Sequence, residues 1–240
     1  MIVSEVPENA RYEIKFIAYE HEFHRLLQWV KMHPAGFISP YPDRRINNVY
    51  FDTQDCKAYA ENLSGASDRR KVRYRWYSDK ADGRRLQMDK GVLEVKCKRN
   101  FFGWKKHYKI SKSPDKGESS WREIRNNMLE ELSDNGRRIL RNNPNPVLIN
   151  QYDRKYFVTS DGLIRLTVDR NQNVWDQRYK PKPNYNHRAN LCKTLVVEIK
   201  FDRGEQVYAS QIIQGIPLRV SRNSKYMVGV HTISLISHAW

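Results

Sequence analysis

Charged and apolar side chains alternate with a period of two in several stretches of the chain, the period of strands with two unlike faces. Arg11-Tyr12-Glu13-Ile14-Lys15-Phe16 is the first of them. Residues 47–53 form a short strand ending in Tyr50-Phe51-Asp52-Thr53, and a turn-rich stretch follows through Gly65. The clearest alternation is Lys71-Val72-Arg73-Tyr74-Arg75-Trp76-Tyr77, matched by Leu93-Glu94-Val95-Lys96-Cys97-Lys98. Residues 104–110, 151–159, 163–169 and 195–201 bring the set to about eight strands, enough to close a barrel.

Helical spacing interrupts the strands. Residues 20–32 carry Phe23, Leu26, Leu27 and Val30 on one face and stop before Pro34. Ser120 and Glu123 have the spacing of a capping box, with Trp121, Ile124, Met128 and Leu132 as the apolar stripe that follows. That helix is expected to break near Asn135-Gly136 and resume over 137–141. A third helix is expected over 206–214, and a short last one from Ser224. Residues 171–193, rich in Pro, Asn and basic side chains, read as a long loop between two strands. With no repeat and no low-complexity tract, the expected organisation is one α+β domain over residues 1–240, a closed antiparallel β-barrel with helices packed outside.

The charged faces of five strands gather Glu13 and Lys15; Lys71, Arg73 and Arg75; Glu94, Lys96 and Lys98; Arg165 and Asp169; and Glu198 and Lys200. On any one strand this reads as an ordinary solvated face. Over five strands the excess of Lys and Arg is costly through mutual repulsion unless carboxylates or a polyanion offset it. If the charged face turns inward, the bore is a cationic tunnel in which Arg forks and Lys ammoniums grip phosphate oxygens. The few carboxylates then suit a divalent cation, Mg²⁺ or Mn²⁺.

Composition agrees. The 240 residues hold 43 Lys and Arg against 27 Asp and Glu, a net charge of +16, so the partner is a polyanion. Nucleic acid is the alternative to polyphosphate, but Tyr74 and Trp76 alternate with Arg73 and Arg75 and so lie on the opposite face, which opposes base stacking on that strand. No helix-turn-helix, zinc-finger or RNP-like motif is present, so no specific nucleic acid is expected. The first nine residues lack the features of a secretory signal, and no run of 18 apolar residues occurs. Three widely spaced cysteines, Cys56, Cys97 and Cys192, fit reduced thiols, and the expected location is cytoplasmic. Cys97 reads as a small core residue, His21 and His24 as a solvated helix face.

In order, Arg11-Tyr12-Glu13-Ile14-Lys15, Tyr50-Phe51-Asp52-Thr53, residues 71–77, Glu94-Val95-Lys96, Tyr152-Asp153-Arg154, Arg165-x-Thr167-x-Asp169, Glu198-Ile199-Lys200 and Ser224-Lys225-Tyr226 resemble the vacuolar transporter chaperone (VTC) polyphosphate polymerase domain, over about residues 11–230. That family is one of the triphosphate tunnel metalloenzymes, with the CYTH-type adenylate cyclases and thiamine triphosphatases. The resemblance implies phosphate ligands at Lys15, Lys71, Arg73, Arg75, Lys96, Lys98, Arg154, Arg165, Lys200, Ser224 and Lys225, and a metal carboxylate at Glu198 assisted by Glu13 and Glu94. It implies catalysis by Lys15, Arg73, Arg75, Lys96, Arg154, Arg165 and Glu198, and one inward lysine among Lys105, Lys106 and Lys109. Where CYTH enzymes begin Glu-x-Glu-x-Lys, this chain has Arg11 in place of the first acid, which favours the VTC branch. The expected ligands are polyphosphate, triphosphate or ATP, and the expected reaction is chain extension from ATP. A triphosphatase, a binding-only sensor and a nucleic-acid binder are the alternatives. Any translocation would need a separate membrane-protein partner.

Overall fold

A computed structural model describes residues 6–78 and 86–237; residues 1–5, part of the stretch read as lacking a secretory signal, lie outside them. In chain order the elements are β1 (Tyr12–Tyr19), α1 (Phe23–Met32), β2 (Arg44–Asp52), α2 (Lys57–Leu63), β3 (Asp68–Ser78), β4 (Gly91–Arg99), β5 (Phe102–Ile110), α3 (Trp121–Glu131), α4 (Asp134–Asn142), β6 (Asn145–Val158), β7 (Arg165–Asp176), β8 (Arg188–Ala189), β9 (Thr194–Phe201), α5 (Gln206–Ile213), β10 (Arg219–Val220) and α6 (Lys225–Ser237). The strands form one antiparallel sheet in the order β10-β1-β9-β7-β6-β2-β3-β4-β5, with β8 on β7.

Of the expected α+β barrel, the antiparallel sheet and its packed helices are present; the sheet has ten strands rather than about eight, and among the described residues no continuous ladder joins its two ends. The reason lies on the free edge of β1. From Phe16 onward that edge is taken by β10, through Phe16 opposite Val220 and Ile17 opposite Arg219. Only the start of β1 meets β5: Arg11 N–H donates to Gly103 O at 3.2 Å and Gly103 N–H to Arg11 O at 3.1 Å. The Tyr12 ring, 4.9 Å from that of Phe102, packs over the same junction.

Alternation decides which side is buried against helices. Val72, Tyr74, Trp76, Leu93, Val95 and Cys97 cluster with Trp121, Ile124 and Met128 of α3 and Leu140 of α4. Phe16, Leu166, Val168, Val197 and Ile199 cluster with Phe23, Leu26 and Val30 of α1 and Ala209 and Ile212 of α5. Burying a side chain of this kind contributes roughly 1.5–3 kcal/mol. α6 is different, because Tyr226, Val230 and Ile233 pack on Tyr50, Leu148 and Val174, residues of the concave side. Gly229 permits that approach: a Cβ there would come within 2.7 Å of Leu148 Cδ2.

Several boundaries differ from the expectations. The Ser120–Glu123 capping box is present, but the helix ends at Glu131 and a new one starts after Ser133, so Asn135 and Gly136 lie inside α4. Leu132, in an extended conformation, buries its side chain at the break. α1 is preceded by a 3₁₀ turn over Glu20–Glu22, and α6 runs 13 residues. β7 and β8 take up part of the expected 171–193 loop. The turn-rich stretch after Thr53 contains α2. His21 and His24 are exposed and Cys97 is buried.

Asp52 is more than the acid of a strand-end turn. Fully buried, its carboxylate accepts from the N–H groups of Thr53 (2.8 Å), Ala58 (3.0 Å) and Tyr59 (3.2 Å) and from the Tyr226 hydroxyl (2.6 Å). It thus caps the first turn of α2 and ties that helix to α6. Asp52→Ala should destabilise the fold by about 3 kcal/mol, because it strands several buried donors at ~1–3 kcal/mol each. Urea titration should show the midpoint fall with the slope unchanged; an unchanged midpoint would show that the two helices are held by apolar packing alone.

Candidate functional site

On the concave side of the sheet a cavity collects eighteen described residues, eleven of them Lys or Arg and two Glu. The hollow between α1 and α5 is larger, about 890 Å³ against 130 Å³, but a single arginine is its only Lys or Arg. Charge, not size, marks the site. Period-two alternation and register bring the set together: Glu13 and Lys15 from β1, Lys71, Arg73 and Arg75 from β3, Lys96 and Lys98 from β4, Glu198 and Lys200 from β9. Arg154 joins from β6, and Ser224 and Lys225 from the start of α6.

Two expected positions depart. Arg165 shares the face of Asp169 but is the first residue of β7, paired with Lys200 and Val158; it is exposed and does not line the cavity. Glu94 is buried behind the cavity wall, gripped by Arg73 Nε at 2.7 Å and Nη2 at 2.5 Å, with Arg75 Nη1 at 3.6 Å. The inward lysine of β5 is Lys105, opposite Lys96; Lys106 lies on the other side, opposite Val95, and Lys109 is exposed opposite Val92.

The carboxylates organise the cations. Glu198 Oε1 lies 3.0 Å from Lys15 Nζ, and its Oε2 accepts from Lys200 Nζ at 2.6 Å with Arg154 Nη2 at 3.8 Å. Glu13 touches Lys15 (3.0 Å), Lys96 (3.2 Å) and Lys200 (3.6 Å). Asp169, fully buried, takes the Arg154 fork at 2.5 and 2.7 Å and Lys225 Nζ at 2.6 Å. Neutral groups complete the wall: Arg73 donates to the Tyr50 hydroxyl (3.3 Å), Arg75 to Asn48 Oδ1 (2.8 Å) and the Tyr152 hydroxyl (3.1 Å), and Lys71 to Ser224 Oγ (2.7 Å).

These contacts set the ionisation states. Burial alone would raise the Glu198 carboxyl, but Lys15, Lys200, Lys225 and Arg154 outweigh it and hold it well below the usual carboxylate range. Glu13 and Asp169 are lowered in the same way, against their own burial, by Lys96 and Arg154 respectively, and Glu94 by Arg73 and Arg75. Burial also opposes the charge on Lys15, but Glu198 and Glu13 more than restore it and raise its pKa. Among the described residues Lys71 has no acid partner: burial, then the charges of Lys96 and Lys15, push it down to about 6. Burial brings Lys96 down to about 8, with Glu13 opposing the fall.

Sequence reading did not assign Tyr50, Tyr152, Arg69, Asn62, Asn223 or His107 to the site. Arg69 continues the alternation of β3 by one more step, and Tyr152 precedes Arg154 at the same parity, so both were accessible to the pattern. Asn62 comes from α2 and had no signal. His107, opposite Glu94, has its Nε2 3.4 Å from Glu94 Oε1.

As a metal site the donor set is partial. Among the described residues no group of three or more His, Cys, Asp or Glu converges. Glu13 and Glu198 do share Lys15 and Lys200 as neighbours. Mg²⁺ and Mn²⁺ are commonly held by one or two carboxylates plus substrate phosphates, so this pair fits an ion that arrives with a phosphate chain; Glu94, saturated by guanidinium groups, does not add to it.

The fold and the site together define an antiparallel α+β protein with a strongly cationic concave cavity. The chain belongs to the VTC domain family, whose model matches residues 10–234. Among solved structures it is similar to a Hippeastrum protein described as a candidate adenylyl cyclase with a dominant triphosphatase activity, at 18% identity and TM-score 0.50, covering 91% of this chain and 94% of that one. It is also similar to a Vibrio parahaemolyticus protein described as a candidate adenylate cyclase, at 11% identity and TM-score 0.51, covering 92% and 98%. At these identities the likeness is one of fold. No curated protein matches the chain.

A polyanion entering the cavity offsets the burial and, after it, the repulsion that depress Lys71 and Lys96, so their pKa values rise and protons are taken up on binding. Titrating tripolyphosphate at pH 7.5 in buffers of different ionisation enthalpy should show net proton uptake beyond that of the ligand itself, reduced in Lys71→Met. Without ligand, the unfolded chain holds more protons on these lysines than the fold does above pH 6, so their contribution to stability rises with pH from about 6 towards 10. Absence of net uptake would show that the lysines are already charged.

Proposed function

We propose that the chain is a metal-dependent phosphotransferase that extends polyphosphate from ATP. One observation carries the choice of extension over hydrolysis. Glu13, Glu94, Asp169 and Glu198 are all engaged by ammonium or guanidinium groups and lowered in pKa, which makes each a weak base. Water needs such a base. The terminal phosphate of a polyphosphate chain does not, because it is already anionic.

In this reading Lys15, Arg73, Arg75, Lys96, Arg154 and Lys200 align donor and acceptor phosphates along the cavity. A terminal oxygen of the chain attacks the γ-phosphorus of ATP, the bond from that phosphorus to the bridging β–γ oxygen breaks, and ADP leaves with the electron pair. Arg forks stabilise the charge spread over the transferring group, and Lys15, with its raised pKa, keeps its proton throughout. Glu198 and Glu13 would hold Mn²⁺ or Mg²⁺ with the phosphates, and the ion supplies neutralisation of phosphate charge. Lys71, Lys98, Ser224 and Lys225 bind the chain to either side. Arg165, at the exposed start of β7, would meet only a chain long enough to leave the cavity. A single domain and a separate membrane-protein partner for translocation belong to the same proposal; no helix among the described residues is long and apolar enough to cross a membrane.

Purified protein given ATP and Mn²⁺ should produce a ladder of polyphosphate. Free phosphate from tripolyphosphate with no ladder would establish the triphosphatase, and tight binding with no product a sensor. Glu198→Gln should cut turnover at least 100-fold while polyphosphate affinity holds or rises, because the substitution removes a negative charge from the cavity. Its melting temperature is to be measured in parallel, since breaking a buried pair costs about 3–5 kcal/mol. Unchanged metal dependence in that variant would place the ion elsewhere.

A further inference from the structure

The concave face does not end as it begins. Along β3 the inward residues read Arg69, Lys71, Arg73, Arg75 and then Tyr77. Register carries the change to neighbouring strands: Tyr156 lies two residues beyond Arg154 on β6, and Arg44 on β2 stands opposite Arg154. Arg44 Cζ is 5.5 Å from the centroid of the Tyr41 ring, 5.7 Å from that of Tyr77 and 6.0 Å from that of Tyr156. Arg154 Cζ is also 6.0 Å from the Tyr156 ring, and Arg154 lines the cationic cavity, so this aromatic cluster and the cavity share a wall.

The cluster is held in place but left open. Ile38 pairs with Val158 in an isolated bridge, Lys155 Nζ donates to Asp43 Oδ2 at 2.6 Å, and Arg45 Nε donates to Asp153 Oδ1 at 3.1 Å. These contacts fix the segment that carries Tyr41 and the start of β2. Tyr41 and Tyr77 nevertheless remain 55% and 45% exposed. Arg44, also exposed, has no carboxylate partner among the described residues; what surrounds it is rings. Arg45 and Lys155, its neighbours in sequence and across the ladder, each have an acid.

We propose that Tyr41, Arg44, Tyr77 and Tyr156 form a stacking platform for the base of a nucleoside triphosphate whose phosphates lie in the cavity. Exposed rings beside an unpaired guanidinium offer π faces and a cation to a planar heterocycle, and stacking of this kind tolerates any base but favours a purine for its larger face. Spacing supports it: four residues of strand, about 13 Å, separate Tyr77 from Arg73, room for a ribose and the first phosphates between ring and guanidinium. A bare phosphate chain finds nothing on tyrosine rings. The platform therefore assigns this end of the cavity to the donor nucleotide and the Arg69 end to the growing chain.

The inference rests on the phosphate-binding reading of the cavity, and the test separates the two. Calorimetric titration of wild-type protein with ATP, CTP and tripolyphosphate, at matched ionic strength, should give ATP the tightest binding although tripolyphosphate carries more charge. Tyr77→Ala and Arg44→Gln should each weaken ATP about tenfold and leave tripolyphosphate within twofold, and Tyr77→Phe should retain ATP binding. Wild-type protein that binds tripolyphosphate as tightly as ATP, or variants that lose both ligands equally, would overturn the platform while leaving the phosphate channel intact. Binding of neither ligand by the wild type would sink both.

Discussion

The whole molecule answers to one electrostatic constraint: among the described residues, eleven Lys and Arg side chains share a concave surface with only two Glu exposed to the cavity. Like charges at this density repel strongly in a partly dehydrated space. Glu13, Glu198, Glu94 and Asp169 offset part of the repulsion, each bridging two or more cations from different elements of the fold. The pair from Lys96 of β4 to Glu13 of β1 ties two distant strands of the sheet together, and that from Lys225 to Asp169 ties α6 to β7. What the acids leave uncompensated is the binding energy available to a polyanion.

That arrangement is possible because the other face of the same strands is apolar and continuous. Tyr74 and Trp76 alternate with Arg73 and Arg75, so these guanidinium groups are anchored by neighbours buried under α3. The helices are what make an inward charged face affordable. α6 adds a further constraint from the inside, placing Ser224 and Lys225 against Lys71 and Asp169 while Tyr226 reaches Asp52. A single helix start thus joins the chemistry of the cavity to the capping of α2.

Much of this was legible in the sequence because strand alternation is a local property. Parity alone put Glu13, Lys15, Lys71, Arg73, Arg75, Lys96, Lys98, Glu198 and Lys200 on one face, and all line the cavity. Parity does not say where along a strand the cavity ends, which is why Arg165 was included and Arg69 was not. Nor does it give register between strands, so the choice of Lys105 over Lys106 and Lys109 had to wait for the ladder with β4. Closure of the sheet was beyond local reading altogether: the two-residue β10, which occupies the edge of β1, is too short to show a period. α2 went unseen for a related reason, since its capping acid is Asp52, five positions before its first residue, and Cys56 at its start has a left-handed backbone and caps nothing with its side chain.

The gradient along β3 shows how one strand can carry both fold and direction. A channel with the same charge throughout would bind a phosphate chain in any register and let it slide. Here the acids are not evenly spread: Glu94 locks Arg73 and Arg75 in place, whereas Lys71, beyond them, donates to the Ser224 hydroxyl and has no acid partner among the described residues. Guanidinium groups held by a buried carboxylate are rigid and present a fixed fork, suited to the reacting phosphates, whose geometry matters. Lys71, whose charge is suppressed by burial and then by its cationic neighbours, has a pKa near 6 and gains charge when an anion offsets both. Its charge therefore depends on what occupies the cavity rather than on a fixed acid beside it.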